Sequence, residues 1–288
     1  MIRSFLFVPA DSPRKLEKAY GSTADALILD LEDAIAEGQK AQARTGLATF
    51  LESVGHRAGP RLYVRINALD SGHALEDLKA TMPFAIEGVV LPKCRGAADV
   101  ERLSGYLEAF ETVHGRGLGS CRIIAIATEN AASVLGLHAY ATTPPSPRLA
   151  GLMWGAEDLG ADLGARHSRE HGALTPPFAL ARSLCVMAAA SARVQPIDAV
   201  SPEIDNAPAL RGESLAARRD GFTAKAAIHP GQLEVINAAF APSEQDIAWA
   251  RRVIAAFAAG DGVTRLDGAM LDRPHLRHAE AILAQAGR

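Results

Sequence analysis

Chemistry-bearing side chains stand where the apolar runs of this 288-residue chain end. Asp30, Glu32 and Asp33 close the run that begins at Ala26, and Arg65 and Asn67 close the one that begins at Arg61. Lys93 follows Glu87–Leu91 across Pro92, Glu129 follows Arg122–Ala127, Glu157 and Asp158 follow Leu149–Trp154, and His229 follows Phe222–Ile228. Two carboxylates from different chain segments, completed by water and substrate oxygens, suit a hard divalent cation such as Mg²⁺. Glu129 and Asp158 are the candidate pair, with Glu157 a neighbouring competitor. Each also precedes a helical stretch, where an acid would serve as an N-cap or complement the helix dipole; both readings stay open on the residues alone. Arg65 carries a rigid fork of donors matched to a carboxylate. It could bind a substrate acid, pair with the Asp30/Glu32/Asp33 group, or do both with its two edges. Lys93 would form a Schiff base only if desolvation lowered its pKa, and acids nearby favour the charged amine.

The elements that must position these groups alternate. Strands are expected at Arg3–Val8, Ala26–Asp30, Arg61–Ile66, Glu87–Leu91, Arg122–Ala127, Leu149–Trp154, Pro196–Val200 and Phe222–Ile228. Helices are expected at Pro13–Tyr20, Gln39–Ser53, Ala74–Thr81, Ala97–Val113, Pro177–Arg193 and Ala207–Asp220, several opened by proline or ended near glycine. Eight strand–helix repeats without a linker predict an α/β fold, a (β/α)₈ TIM barrel, over residues 1–240. In that architecture strand C-terminal ends converge on one mouth, so the scattered ionisable residues should meet in a single crevice. Residues 241–288 read as a C-terminal helical appendage: Pro242-Ser243-Glu244-Gln245 opens a helix to Ala259, a Gly-rich turn follows, and a last helix runs to Ala286. Such an appendage covers its own barrel end or packs on a neighbouring subunit.

Composition excludes several classes. An apolar share of 48% with 22% charged residues describes a chain with a large core. Thirty Lys+Arg against 33 Asp+Glu, a net charge of −3, provide no basic field for nucleic acid or an anionic membrane, and a 5% aromatic share does not build a single-strand stacking platform. No run reaches the roughly 18 apolar residues of a spanning helix, and the N-terminus reads as a strand of a cytoplasmic protein. Cys94, Cys121 and Cys185 form no CxxC pair, so reduced thiols are expected. His167 and His171 have the i,i+4 spacing of a zinc pair but lack the intervening glutamate, in surroundings that read as a solvated face. His275 and His278 read as surface residues. Gly115-Arg116-Gly117-Leu118-Gly119 precedes a strand where a phosphate loop would follow one. Cys94 reads as a packing thiol.

Read together, Arg3-Ser4-Phe5-Leu6-Phe7-Val8-Pro9, Asp30-Leu31-Glu32-Asp33-Ala34, Val64-Arg65-Ile66-Asn67, Leu91-Pro92-Lys93, Ala127-Thr128-Glu129-Asn130, Gly155-Ala156-Glu157-Asp158-Leu159, the stretch from Gly221 to Pro230, and Gly268-Ala269-Met270-Leu271-Asp272-Arg273-Pro274 resemble the citrate lyase beta-subunit-like CoA-ester lyases of the HpcH/HpaI aldolase superfamily, in order along nearly the whole chain. The resemblance implies Mg²⁺ held by Glu129 and Asp158, and Arg65 on the oxygens of a 2-oxo acid. It implies Asp272 as a general base or acid delivered to a neighbouring subunit of a homotrimer or a multiple of it. It also places a CoA thioester near the first strand and helix, where Arg14, Lys15 and Lys18 would contact phosphates or form a solvated basic face. Ala10 stands where the family commonly has glycine, and Asn130 where threonine or serine is frequent. The implied activity is retro-Claisen cleavage of a malyl-, citramalyl- or citryl-type 3-hydroxyacyl-CoA to acetyl-CoA and a 2-oxo acid. The alternatives are malate synthase-like or thioesterase activity on the same esters, and a citrate lyase beta subunit that needs an acyl-carrier partner.

Overall fold

Eight parallel strands close into a barrel in a computed structural model that describes residues 2–55, 57–142, 146–258 and 264–287. Its strands are β1 (Ser4–Pro9), β2 (Ala26–Asp30), β3 (Arg61–Arg65), β4 (Gly88–Leu91), β5 (Arg122–Ile126) and β6 (Leu149–Met153), then, beyond a short hairpin of β7 (Arg169–Glu170) and β8 (Ala173–Leu174), β9 (Gln195–Asp198) and β10 (Ala224–Ala227). Each barrel strand pairs in parallel with its chain neighbours in the barrel, and β1 closes on β10 with Ser4 opposite Lys225. All eight expected strands form, Ala26–Asp30 with the expected bounds and the others with ends displaced by no more than two residues. The helices Pro13–Tyr20, Ala74–Thr81 and Ala97–Val113 fall where periodicity puts them.

The barrel interior follows from the two-residue period of a strand, which turns alternate side chains inward. Phe5, Ala26, Ile28, Tyr63, Val90, Ile124, Ile126, Met153, Ile197, Ala224 and Ala226 form one buried cluster, with Phe7 and Val200 packed against it. Continuing that register by two residues, Ile28 leads to Asp30 and Tyr63 to Arg65. The sequence therefore changes from apolar to ionisable at the barrel's C-terminal mouth without changing face. Two inward positions require glycine: a Cβ at Gly88 would lie 2.3 Å from the Arg122 carbonyl, and one at Gly151 3.0 Å from that of Gln195.

The opposite end of the barrel is held by a buried ion pair. Arg148 donates two hydrogen bonds to Glu111, at 2.7 and 2.6 Å. The same carboxylate accepts from the backbone N–H groups of Gly119 and Cys121, at 2.8 Å each. The glycine-rich stretch from Gly115 to Gly119 is thus a turn wrapped on an internal carboxylate.

The chain forms two compact units, Ile2–Ile236 and the segment from Asn237 on, and the helix Leu233–Phe240 carries the boundary. In the second unit the helices Glu244–Ala258 and Arg273–Ala286 pack around Ala250, Val253, Leu271, Ala279 and Ile282. Between them lies an antiparallel hairpin, β11 (Thr264–Leu266) and β12 (Ala269–Leu271), which the sequence reading did not anticipate. The Gly-rich turn, and the Ala259 end expected for the first of these helices, lie outside the described residues. Among the described residues no helix is long and apolar enough to cross a membrane.

Candidate active site

The mouth of the barrel holds a cavity of about 350 Å³ whose lining includes Asp30, Asp33, Arg65, Glu129, Glu157 and Asp158. A second cavity of about 480 Å³ is lined by Lys93, Arg95, Asn130 and Asp162 and shares Glu129 and Asp158 with the first. Six of the nine barrel-mouth groups that the sequence marks as site candidates after β2 to β6, all but Glu32, Asn67 and Lys93, therefore line the first cavity, and Lys93 lines the second.

Arg65 is gripped by the acids after β2. Its Nε and Nη2 donate to the two oxygens of Asp30, at 2.7 and 2.6 Å, while Nη1 lies 3.1 Å from Glu32 Oε2 and 3.7 Å from Asp33 Oδ2. Its guanidinium carbon sits 5.0 Å from the centre of the Phe7 ring. Burial works against the cation, but the Asp30 hydrogen bonds and the acids around it raise the Arg65 pKa further. Asp30 also accepts from the backbone N–H of Glu32 at 2.9 Å, so one carboxylate orients both the arginine and the loop carrying the other two acids. Lys40 adds to this by donating to the carbonyls of Leu31 and Glu32, at 2.9 and 2.8 Å. Asn67 links the same loop to the next, donating to the Leu31 carbonyl at 3.0 Å and to Asp77 at 2.7 Å.

Lys93 pairs with Glu32 and, at 3.0 Å, with Asp33. Burial would lower its pKa, but these two acids raise it well above the ordinary lysine value, which keeps the amine protonated and unsuited to Schiff-base chemistry. Burial pushes Glu32 up, while Asp33 is held down against burial by its hydrogen bonds to Glu32 and Lys93. The backbone at Lys93 is left-handed, φ 50°, and its N–H donates to Glu129 Oε2.

Glu129 is 5% exposed. It does not cap a helix: the N-cap of Ala131–Gly136 is Asn130, whose side chain accepts from Ser133 N at 2.8 Å. Burial, then the charges of Asp158 and Glu32, push Glu129 up to about 8 against the pull of the Lys93 N–H. Asp158 lies in the first turn of Glu157–Leu163, where the helix dipole favours an acid, and it faces both cavities; Glu157 is exposed. Thr128 and Gly155 tie the two loops together, through Thr128 Oγ1 to the Gly155 carbonyl at 3.2 Å and Gly155 N to Thr128 Oγ1 at 2.9 Å. A Cβ at Gly155 would lie 3.2 Å from Glu129 Cγ, so the glycine leaves room for that side chain.

A divalent cation fits this donor set. Arg65 and Lys93 are engaged by Asp30, Glu32 and Asp33, while Glu129 and Asp158 repel each other, and a buried carboxylate repelled by another is the arrangement a cation relieves. No group of three or more metal-ligating side chains occurs among the described residues. A pair of carboxylates suffices for Mg²⁺, which keeps waters and substrate oxygens as its other ligands.

Residues 3–230 match the HpcH/HpaI aldolase/citrate lyase family. The chain belongs to that family. Among its relatives, a (3S)-malyl-CoA thioesterase of Cereibacter sphaeroides is 35% identical over 99% of this chain and 94% of its own. A citrate lyase subunit beta-like protein of Mycobacterium tuberculosis is 36% identical over 98% and 95%. The crystal structure of the protein CitE from Mycobacterium tuberculosis in complex with magnesium, acetoacetate and coenzyme A superposes with a TM-score of 0.80 at 36% identity, covering 99% of this chain and 98% of that one. This chain is thus a citrate lyase beta-like member of the family, and its fold is a (β/α)₈ TIM barrel with a C-terminal helical appendage.

Arg14, Lys15, Lys18 and His229 of this HpcH/HpaI member are not among the residues that line the first cavity. Arg14, Lys15 and Lys18 are exposed on the helix Pro13–Tyr20, which starts just beyond the C-terminal end of β1 and buries Leu16 and Ala19. Asp272 is the N-cap of the helix Arg273–Ala286 in the second unit, with His275 Nδ1 2.6 Å from its Oδ1. His275 thus partners the candidate acid, a role its surface position in the sequence reading did not suggest. His229 is exposed and accepts from Gly231 N at 3.1 Å, an end cap outside the cavity lining. Burial pushes the Cys94 thiol up to about 11, consistent with a packing role. Sequence reasoning also missed Trp154, which lines the cavity, and the buried Asp198 that accepts from its indole N–H at 2.7 Å. The signal was present in Asp198 and Lys225, lone charges inside otherwise apolar strands.

Proposed function

We propose that this chain is a Mg²⁺-dependent carbon–carbon lyase that cleaves a 3-hydroxyacyl-CoA of the malyl, citramalyl or citryl type to acetyl-CoA and a 2-oxo acid. The observation that carries this reading is the facing pair Glu129 and Asp158 at the barrel mouth, shared by two cavities and flanked by Arg65. When bound there, Mg²⁺ would supply Lewis-acid polarisation of the oxygen that becomes the oxo group.

The chain's own residues account for the remaining work. Glu129 is held for cation binding by the Lys93 N–H on one oxygen and by the space at Gly155. Arg65, oriented by Asp30, presents fixed positive charge to the oxo acid as its carbonyl forms. In the cleavage direction the substrate hydroxyl loses its proton, the C2–C3 bond of the acyl chain breaks, and its electron pair becomes the thioester enolate. A proton delivered to that carbon completes acetyl-CoA. Asp272, from a neighbouring subunit of a homotrimer or a multiple of it, is the proposed group that moves these protons, with His275 beside it. Arg14, Lys15 and Lys18 form the proposed contact for CoA phosphates on an exposed basic face.

A second reading has its own support in the 35% identical (3S)-malyl-CoA thioesterase: hydrolysis of the same ester, releasing free CoA. Turnover of malyl-, citramalyl- and citryl-CoA by the isolated chain, with oxo acid, acetyl-CoA and free CoA measured separately, tests both. Equal yields of acetyl-CoA and oxo acid with Mg²⁺ are expected. Free CoA alone would replace the lyase with the thioesterase, and turnover only of acyl-carrier thioesters would assign the chain to a multisubunit complex.

A further inference from the structure

The alternation that turns Met153, Ile197, Ala224 and Ala226 into the barrel turns Trp154, Asp198 and Lys225 outward, toward the surrounding helices. Asp198 is 3% exposed and Lys225 1%, in a layer where charged side chains are rare unless paired. Asp198 accepts from Trp154 Nε1 at 2.7 Å and Arg182 Nε at 3.0 Å through one oxygen, and from Lys225 Nζ at 2.8 Å through the other. Arg182 belongs to the helix Pro176–Ala192 and also bonds Asp220, at 2.7 Å. Burial would raise the Asp198 pKa, but Lys225 and Arg182 hold it below the ordinary aspartate value, so it stays a charged acceptor for three donors. Buried charges are a poor source of stability, since well-packed apolar groups of similar volume often do as well or better. The neutral member of the cluster, Trp154, supplies another reason for it.

Trp154 is the residue through which the chain leaves β6. Its backbone N–H donates to the Ile197 carbonyl at 3.3 Å and its indole to Asp198, the next residue of β9, so the strand end is fixed to β9 at two points. Gly155 is fixed to the other side, exchanging hydrogen bonds with Thr128 at 2.9 and 3.2 Å. Thr128 adjoins Glu129, and Asp158 follows Gly155 by three residues, in the first turn of Glu157–Leu163. The placement of Asp158 relative to Glu129 is therefore set at Trp154 and Gly155, between β9 and β5. The helix Glu157–Leu163 leans on the same outer layer: a Cβ at Gly160 would lie 3.6 Å from the ring of Phe178, on the helix that supplies Arg182.

We propose that Asp198 is a positioning residue for the Glu129–Asp158 pair, acting from outside the barrel through the Trp154 indole. The proposal rests on the Mg²⁺ reading for its ligand, but the anchor is a property of the chain. In the full-length protein, Trp154→Phe keeps an aromatic ring and removes the indole donor, while Asp198→Asn removes the charge shared by Arg182 and Lys225. By calorimetry each is expected to lower Mg²⁺ affinity by about tenfold, the lower end of outer-shell losses at metal sites, because the ties from Gly155 to Thr128 and from Asp162 to the Ala131 N–H remain. The double variant should lose no more than Asp198→Asn alone, and losses that add would overturn the route through the indole.

Glu111→Gln, at the opposite end of the barrel, separates positioning from stability. It should lower the thermal midpoint yet leave Mg²⁺ affinity within about twofold of wild type, as expected of a distant site. A merely structural Asp198 would behave in the same way, and that result overturns the positioning role. Hydrogen–deuterium exchange of the metal-free protein reads the anchor directly. Peptides spanning residues 155–163 should exchange about fivefold faster or more in Trp154→Phe and Asp198→Asn, and at the wild-type rate in Glu111→Gln. Unchanged exchange in the anchor variants overturns the anchor. Trp154→Phe, which leaves the charges of the cluster in place, carries both tests if Asp198→Asn does not fold. If the segment loosens and wild type binds no Mg²⁺, the metal reading fails and the anchor stands; if wild type and both variants bind Mg²⁺ equally well, the anchor fails alone.

Discussion

At the scale of single residues, the site is a negotiation among charges at close range. Six carboxylates share one barrel mouth with Arg65 and Lys93, and each side chain's role depends on which partner it has. Arg65 is oriented by Asp30, Lys93 is kept protonated by Glu32 and Asp33, and Glu129 is left facing Asp158. Glu129→Gln or Asp158→Asn should lower Mg²⁺-dependent turnover by at least about 100-fold, since even outer-shell changes at metal sites cost about 10–100-fold. Circular dichroism and the thermal midpoint should stay near wild type; full activity in either variant would remove that residue from the metal site. Lys93 should not form an imine: borohydride added with a 2-oxo acid is expected to leave the intact mass unchanged, and an adduct at Lys93 would reverse that assignment. Both roles of Arg65 were weighed from its donor fork, and the structure shows the ion pair. Whether Glu129 was a helix cap could not be read from types and spacing, because Asn130 beside it caps equally well and takes that place.

At the scale of elements, strand alternation does most of the positioning. The inward register that fills the barrel with Ile28 and Tyr63 delivers Asp30 and Arg65 to the mouth two residues later, so core and site share one periodicity. The strands were legible because each is a short apolar run of β-branched and aliphatic residues, and the helices 13–20, 74–81 and 97–113 because their ends carry proline, acids or glycine. The hairpins β7–β8 and β11–β12 were not, since two- and three-residue strands carry too little pattern to separate from turns. Loop geometry makes its own prediction at Gly155. The added Cβ in Gly155→Ala would press on Glu129 Cγ at 3.2 Å and on Ile126 at 3.3 Å. Mg²⁺ affinity measured by calorimetry should fall by about tenfold or more while the fold persists, at an overpacking cost of about 1–3 kcal/mol. Unchanged affinity would mean that the Glu129 side chain is not confined by that contact.

At the scale of the whole molecule, two features set behaviour beyond the site. The first is the buried pair at the far end of the barrel: hydrogen bonds from Arg148, Gly119 and Cys121 hold Glu111 down to about 2 despite burial. A carboxylate depressed in the folded state contributes its full stability above its unfolded value near 4.5 and loses it as pH falls toward 2. Wild type should therefore lose stability steeply across that window in urea titrations. Glu111→Gln should flatten the dependence there while lowering stability at neutral pH by about 3–5 kcal/mol, because Arg148 is left buried and unpaired; an unaltered acid limb would assign acid lability to other carboxylates. The second is the division into Ile2–Ile236 and the segment from Asn237 on, which places Arg65 and Asp272 in different units. If Asp272 serves a neighbouring subunit, mixed oligomers of inactive Asp272→Ala and inactive Arg65→Ala chains should regain partial activity. Absence of recovery in oligomers verified by mass as mixed would place Asp272 outside the shared site.

The barrel, its eight strands and the list of ionisable strand ends were determined by the sequence alone, because hydrophobic period and turn chemistry are local properties that every segment carries with it. Which of those ends work together was decided only by tertiary structure. Closing the barrel brings Glu129 to Asp158 and seats Trp154 on Asp198, 44 residues away in the chain. Pairings of that separation depend on strand order and register in three dimensions, and no single segment encodes them.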